Sequence, residues 1–530
     1  MVRSAVMSVF ILAASGLPGH AQTPDLSAPE PAVAGTAEGA LQLRDALASY
    51  LTSTPFEQKL LRIEPDPAGH RITLDPAAAL SALAGSPVKF APLSFIVSER
   101  ADGSWNVFTK DPIDVAASGV IEGQTQSFSY KQGSQAFKGV YSPALAAFLS
   151  ASSRSEKTET QSHDALSGSI ATIRATTVEM TAKAGANGGT DINARQTYEG
   201  VKQTTTVTIP QEDTGTDPTS FGFEASAGFI DTTLTARDAR TAAMRDFYLM
   251  VMRYLPQLQA DATLPASGPL MAQFKDGLGD LLPLWSTLEG NILARDVGIT
   301  SLYGGLKFAE ARQVVRFTGV DRNASFDLDF ALNGIRIDSA LVPAWSATLL
   351  PDVIEIGYTV SGVDLLTPAE IALREIDFAK EPPLSEAAQA RISAAFQPER
   401  IRNRLKPSRI VSKDFDVALS GDFSFTEAKP HASIKVDMAG LDKTVATLQS
   451  AAAANPDLYQ AITMLQFVKG MGRPTDGGRI EWLVDVAADG SVSVNGTTVK
   501  GPDETLTPEE PDGDAPALDQ PLDAPAGDDL

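Results

Sequence analysis

Cysteine is missing from all 530 residues, which excludes disulfides, thiolate catalysis and Cys-ligated metal sites. A lipid anchor built on a cysteine behind a leader is excluded for the same reason. Histidine is almost missing too. Only 4 are present; His20 falls in the leader, and His70, His163 and His431 show no ligand-type spacing, so no metal site is assigned. Positive charge is scarce beside negative. Lys and Arg number 43 against 66 Asp and Glu, giving a net charge of −23. A nucleic-acid backbone would be repelled, and binding to an anionic membrane surface by charge alone is disfavoured. Beyond the N-terminus no stretch holds the ~18 consecutive apolar residues of a spanning helix.

Familiar chemistry is absent as well. There is no G-x-S-x-G elbow, H-E-x-x-H pair, Walker loop or G-x-G-x-x-G turn. Three fragments imitate sites. Ser162-His163-Asp164 carries triad letters, but adjacent side chains cannot form the relay. Ser86-Pro87-Val88-Lys89 fits S-x-x-K without its companion motifs. Asp321, Asn323 and Asp327 are spaced loosely like a calcium loop, without the glycine and final glutamate of one; a turn leading onto a strand's wet face accounts for them. No catalytic residue, cofactor or metal ligand is assigned, and the chain is not expected to be an enzyme.

What the sequence does contain begins with a leader. Arg3 supplies the positive region, Ala5–Ala14 the apolar core, Gly16 and Pro18 the break, and Gly19-His20-Ala21 the small-residue cleavage site. The expected cut follows Ala21, leaving 1–21 as a signal peptide and the mature protein in a bacterial periplasm. Residues 22–40, rich in Ala, Pro and Glu, are expected to form a flexible spacer. At the other end Gly501–Leu530 carries ten carboxylates and no Lys or Arg, the composition of a disordered acidic tail.

Between these ends the dominant signal is period two. In Ser325–Asn333, Phe326, Leu328, Phe330 and Leu332 share one parity, while Asp327 and Asp329 share the other. That contrast predicts an antiparallel strand with one dry and one wet face. Asn291–Leu302, Arg312–Thr318, Ile354–Val360, Val411–Leu419 and Ile480–Val486 alternate likewise. Asp-Gly signals at Ala101–Ser104 and Ala488–Ser491 predict hairpins, and their shared four letters hint at two related halves. Gly119–Ile209 is Thr- and Gln-rich, predicting more solvated strands. The period changes over Arg237–Pro256, where Met244, Phe247, Tyr248, Val251, Met252 and Leu255 predict an amphipathic helix closed by Pro256. Helices are also predicted over Leu41–Leu61, Met271–Leu282, Pro368–Phe378, Leu384–Phe396 and Leu441–Gly470, the last broken near Asn455-Pro456.

The closing stretch supports a resemblance. Leu441-Asp442-Lys443 before a helix, then Gly478-Arg479-Ile480-Glu481-Trp482 and Asp489–Gly496, resemble the C-terminal part of an uncharacterised family of exported Gram-negative proteins, the domain of unknown function 2125. Leu288-Glu289-Gly290 ahead of alternating strands fits the same family. More distantly the pattern is similar to envelope proteins of the AsmA type, whose curved sheets hold lipid in an apolar groove. The resemblance implies export and architecture, and transfers no catalytic residue.

The expected fold is α+β: two long twisted antiparallel β-sheets with helices packed on one face. Its regions are an N-terminal β-rich part over 41–236, a helical connector over 237–284, and a C-terminal α+β part over 285–500, followed by the tail over 501–530. The expected function is non-enzymatic. It is binding of an apolar or lipid ligand, or scaffolding of the envelope, through a dry sheet face, with Phe326, Leu328, Phe330 and Leu332 facing the ligand. The alternatives are a protein–protein interaction module whose core is fully covered, with an envelope protein as partner, and, third, an envelope hydrolase.

Overall fold

The computed structural model describes residues 34–121, 124–209, 219–261, 268–377, 380–426 and 429–503. The expected signal peptide, most of the spacer and nearly all of the tail lie outside them. The chain opens with α1 (Ala37–Leu51), α2 (Thr54–Glu57), β1 (Leu61–Asp66), β2 (Gly69–Leu74), α3 (Ala77–Ala84), β3 (Val88–Phe90), β4 (Leu93–Glu99) and β5 (Trp105–Thr109). There follow β6 (Asp114–Ile121), β7 (Gln124–Lys131), β8 (Ser134–Ser142), β9 (Ala147–His163), β10 (Ser167–Ala184), β11 (Thr190–Ile209), β12 (Thr219–Ala239), α4 (Thr241–Asp261) and α5 (Pro269–Asp280). The next elements are β13 (Thr287–Ser301), β14 (Gly304–Thr318), β15 (Ala324–Asn333), β16 (Arg336–Asp338), β17 (Val353–Val363), α6 (Leu366–Glu375) and α7 (Glu386–Ala395). The chain closes with β18 (Arg402–Val411), β19 (Asp416–Thr426), β20 (Lys429–Ala439), α8 (Leu441–Ala452), α9 (Leu458–Met471), β21 (Arg473–Thr475), β22 (Arg479–Val486), β23 (Val492–Val494) and β24 (Thr497–Lys500).

Antiparallel strands dominate, as expected, but they form one sheet of 24 strands rather than two. The sheet is continuous across the expected helical connector at 237–284. β12 pairs directly with β13 from Phe223↔Ser301 to Arg237↔Thr287, so α4 and α5 are a long connection between neighbouring strands. A hairpin connection can be lengthened at small entropic cost without unpairing its strands. From β9 to β15 each strand pairs with the next in sequence. The order then continues β17, β18, β19, β20, β22, β23. On its other edge β9 divides: its first half pairs with β8 and its second with β7.

The helices also depart from the expected single layer on one face. One group is linked in series: Phe247 of α4 meets Phe274 of α5 with ring centroids 5.3 Å apart, Lys275 of α5 donates to the Arg374 carbonyl of α6, and Arg391 of α7 pairs with Glu375 of α6. The second group is α8 with α9, and it carries the clearest core. Leu441, Val445, Leu448, Ala452 and Ile462 pack with Trp482 and Val494, with Val436, Met438, Ile480 and Val484 against the same cluster. These strand residues share a face, since Met438↔Ile480, Val436↔Trp482 and Val484↔Val494 are register partners. Trp482 Nε1 donates to the Val468 carbonyl at 2.8 Å, so its one polar atom is satisfied inside the apolar cluster.

Several local expectations shift. The strands begin at Leu61, ahead of Arg71, and the expected spacer gives way to helix at Ala37. Rather than starting a helix, Arg237 lies in a strand that ends at Ala239, and α4 runs through Pro256 to Asp261. The strand β18 has no visible alternation because the register slips between Leu405 and Ser408 against both neighbours. A bulge there, at Lys406-Pro407, moves its apolar residues from odd to even positions. The two Asp-Gly turns match in detail: Asp102 Oδ1 accepts from the amide and hydroxyl of Ser104, and Asp489 Oδ1 from those of Ser491.

A line of irregular backbone crosses the long strands. Lys157, Gly200, Asp296 and Gly334 all have positive φ, at 54°, 62°, 53° and 65°. They lie on β9, β11 and β13 and just beyond β15, opposite Arg174, Gly228 and Ala309 on the strands between. Pairing lapses at each of these positions and resumes two residues on with the register unchanged. Two positions need glycine. A Cβ on Gly200 would meet Arg174 Cβ at 3.2 Å, and one on Gly334 would meet Ala309 Cβ at 2.7 Å. A left-handed residue in every second strand turns the chain at the same height, which creases the sheet.

Asp414 fastens the helical core. It is 4% exposed, accepts from Thr348 Oγ1 at 2.6 Å and Thr447 Oγ1 at 2.7 Å, and pairs with Lys443 at 3.2 Å. Burial pushes its pKa up, but the two hydroxyls and Lys443 outweigh that and hold it below the usual carboxylate range. A carboxylate favoured in this way stabilises the fold above its unfolded pKa of about 3.9, and that contribution is lost as pH falls through the folded-state value. Thermal melts should therefore fall steeply in temperature below about pH 4. Asp414→Asn should melt lower at neutral pH and lose part of the acid dependence. In the same core Leu448→Ala should cost about 2–5 kcal/mol in urea unfolding.

Candidate ligand-binding face

Directly paired residues of an antiparallel ladder lie on the same side of the sheet, so register alone assigns the faces. The row Leu234–Gly290–Val315–Leu328–Tyr358–Leu405 crosses six strands on one side. Beside it run Ala236–Leu288–Phe317–Phe326–Val360 and Ile292–Gln313–Phe330–Ile356. A fourth row, Ile230–Ala294–Ala311–Leu332–Ile354–Ile410–Val417–Met438–Ile480, leads straight into the cluster beneath α8 and α9. The structure thus brings Phe326, Leu328, Phe330 and Leu332 together on the dry face and extends them into a strip.

That strip is unevenly covered. Ile292 is 43% exposed, Phe326 36% and Ile356 42%, whereas Trp482, in the cluster beneath α8 and α9, is 5% exposed. Leu328, Phe330 and Leu332 are half-buried. Trp285 stands edge-on to Phe317 at 5.7 Å and closes one end. At about 4.8 Å between strands, the row from β13 to β19 is roughly 24 Å long. Sequence periodicity identified the single strand; Ile292 and Phe317 join it only through the registers of β13 and β14.

The reverse side is ion-paired from strand to strand. Arg316 reaches Glu289 at 2.6 Å, Lys406 lies 3.1 Å from both Asp327 and Asp329, and Arg404 meets Asp422 at 2.7 Å. Ser408 Oγ accepts from the Gly357 amide and donates to the Lys406 carbonyl, so the bulge of β18 holds the lysine between its two carboxylates. Burial raises the Asp327 pKa, but hydrogen bonds from Thr359 and Lys406 overcome this and lower it. With Asp327 engaged there and Asp321 bonded to the Asn323 amide, the calcium-like spacing is a turn and a wet strand face.

The other fragments are dispersed too. His163 ends β9 beside a cavity of about 550 Å³ that Lys89 and Ser169 also line. Asp164 is spent on its own turn, accepting from the Leu166 and Ser167 amides. Ser86 precedes a strand, so Lys89 is not one helical turn away from it. Among the described residues no group of three or more His, Asp or Glu is placed to hold a metal. No helix there is long and apolar enough to cross a membrane.

No family model, no curated protein and no solved structure matches this chain. The site's chemistry therefore rests on its geometry. Lys406→Met should leave Asp327 and Asp329 as unneutralised neighbours. The expected loss is about 1 kcal/mol by denaturant titration, the scale of a partly exposed pair, and a double-mutant cycle with Asp327→Asn should recover most of it.

Proposed function

We propose that this chain is an exported, non-enzymatic periplasmic protein that holds an apolar chain, such as a lipid acyl group, along the dry face between β13 and β17. The observation that carries this reading is the strip's combination of continuity and exposure. Ile292 and Ile356 in one row and Phe326 in another keep between a third and a half of their surface open among half-buried neighbours. An enzyme reading has no comparable support among the described residues, where no nucleophile, base and orienting group are brought together. The leader at 1–21 motivates the periplasmic assignment, and the resemblance to the domain of unknown function 2125 and to AsmA-type proteins is consistent with it.

The magnitudes are adequate. Each methylene taken from water contributes about 0.8 kcal/mol, so ten of them supply roughly 8 kcal/mol. Association costs on the order of 4 kcal/mol, leaving roughly 4 kcal/mol and a millimolar affinity for ten methylenes, which each further methylene tightens about fourfold. The wet face is less suited, since Arg316, Lys406 and Arg404 set paired charges across it. The covered alternative describes the last strands, where α8 and α9 already occupy the face.

Organic extraction of the purified protein followed by mass spectrometry should release lipid, and a fluorescent fatty acid should bind saturably. Ile356→Asp and Phe330→Asp should each weaken that binding at least about tenfold, the effect of placing a charge in an apolar contact, with circular dichroism unchanged. Absence of both extracted lipid and saturable binding, or undiminished binding by both variants, would remove the reading.

A further inference from the structure

The hairpin between β13 and β14 ends in a turn of unusual composition. β13 stops at Ser301 and β14 starts at Gly304, so Leu302 and Tyr303 form the apex. Turn apices are usually Gly, Asn, Asp, Pro or Ser. Here Leu302 is 65% exposed, Tyr303 61% and nearby Leu341 73%. The apex is also firmly held. β16 pairs with β14 over Gly305↔Asp338, Leu306↔Ile337 and Lys307↔Arg336. Ser339 Oγ donates to the Tyr303 carbonyl, and the Leu341 amide donates to Ser339 Oγ at 3.2 Å. Gly304 sits at φ 127° so close to the next segment that a Cβ would lie 2.2 Å from the Asp338 carbonyl.

Behind the apex the two sides differ. Ile299, Leu306 and Ile337 share one side by register, and Ile299 and Ile337 are exposed. On the other side Lys307 and Arg336 stand directly opposite each other. Both are exposed, and neither has an ion-pair partner among the described residues. Like charges directly opposite in a ladder are destabilising. In a chain with 66 acidic residues, Arg316, Lys406, Arg404 and Arg409 all meet carboxylates. This pair has one carboxylate on its own side, exposed Asp338 two residues from Arg336, and makes no ion pair with it, so its net positive charge is left without an internal reason. An anion outside the fold supplies one.

We infer that this tip is a membrane-contact site. Leu302, Tyr303 and Leu341 enter the boundary between headgroups and acyl chains of a phospholipid bilayer. Lys307 and Arg336, four residues along the strand from Tyr303 and so roughly 13 Å behind it, reach forward to headgroup phosphates. Tyrosine suits that depth because its ring is apolar and its hydroxyl stays wet, and lysine and arginine extend along an apolar surface to keep their charges at the phosphate level. A second copy of the chain does not fit the tip: its own Lys307 and Arg336 would be brought against this pair, and both partners carry −23. The partner is a surface of neutral phospholipid, since that net charge opposes an anionic one. The inference is independent of the acyl-chain strip, which lies on the other side of the crease.

The absence of native cysteine makes the test direct. Leu302→Cys and, on the wet face, Glu355→Cys are each labelled with an environment-sensitive dye in the full-length mature protein, and phosphatidylcholine vesicles are added. The dye at 302 should shift to the blue and lose access to an aqueous quencher, while the dye at 355 should not. Unlabelled protein should float with the vesicles. Leu302→Ser/Tyr303→Ser should lower the bound fraction at least about tenfold, since two large apolar contacts are removed, and Lys307→Glu/Arg336→Glu should lower it several-fold, both with unchanged thermal unfolding. Phe330→Asp, which tests the strip, should float normally. Failure of the native protein to float, equal flotation of the apex variant, or equal dye shifts at both positions would overturn the proposal.

Discussion

Everything in this structure depends on register. In an antiparallel ladder the side of the sheet that a residue occupies is inherited from its partner, and a slip of one residue exchanges the two faces. Leu328 faces the same way as Val315 and Tyr358 because the registers with the strands on both sides put them opposite it. The same rule aligns Asp327 with Arg316 and Thr359 on the reverse side. One constraint thus produces both the apolar strip and the ion-paired surface behind it. Neither could be altered alone without moving the other.

Where the constraint relaxes, the molecule acquires its special features. The left-handed residues at Lys157, Gly200, Asp296 and Gly334 interrupt pairing without changing register, so the sheet bends while its faces stay assigned. The bulge at Lys406-Pro407 does the opposite. It shifts one strand by a residue, keeps Ile410 and Leu405 on the dry face, and swings Lys406 between Asp327 and Asp329. Long connections are accommodated at the strand ends, where α4 and α5 or α8 and α9 can be inserted between paired strands without cost to the ladder.

The acyl-chain strip and the hairpin tip are different uses of one physical fact. A sheet of this length has more apolar surface than its own helices cover. α8 and α9 complete the burial of Met438, Ile480 and Trp482, while Ile292 and Ile356 keep more than a third of their surface exposed. At the tip the exposure is of another kind, because a convex turn has no neighbour to bury it. Leu302 and Tyr303 are held there by β16, so their exposure is a property of the fold.

By itself the sequence determined the absence of cysteine chemistry, the acidic balance, the alternation of Phe326, Leu328, Phe330 and Leu332, the helix pair around Asn455-Pro456 and the Asp-Gly hairpins. These are local patterns, set by side-chain period and turn chemistry within a few residues. Only the tertiary structure decided that β12 pairs with β13 across the α4–α5 connection, making one sheet where two were expected. Only it decided that Ile292 and Ile356 join Phe330 in one row, that β18 exists despite its broken alternation, and that Lys307 faces Arg336. Each of these is a pairing between residues distant in sequence, and period two says which side a residue takes within its own strand but not which strand will lie beside it.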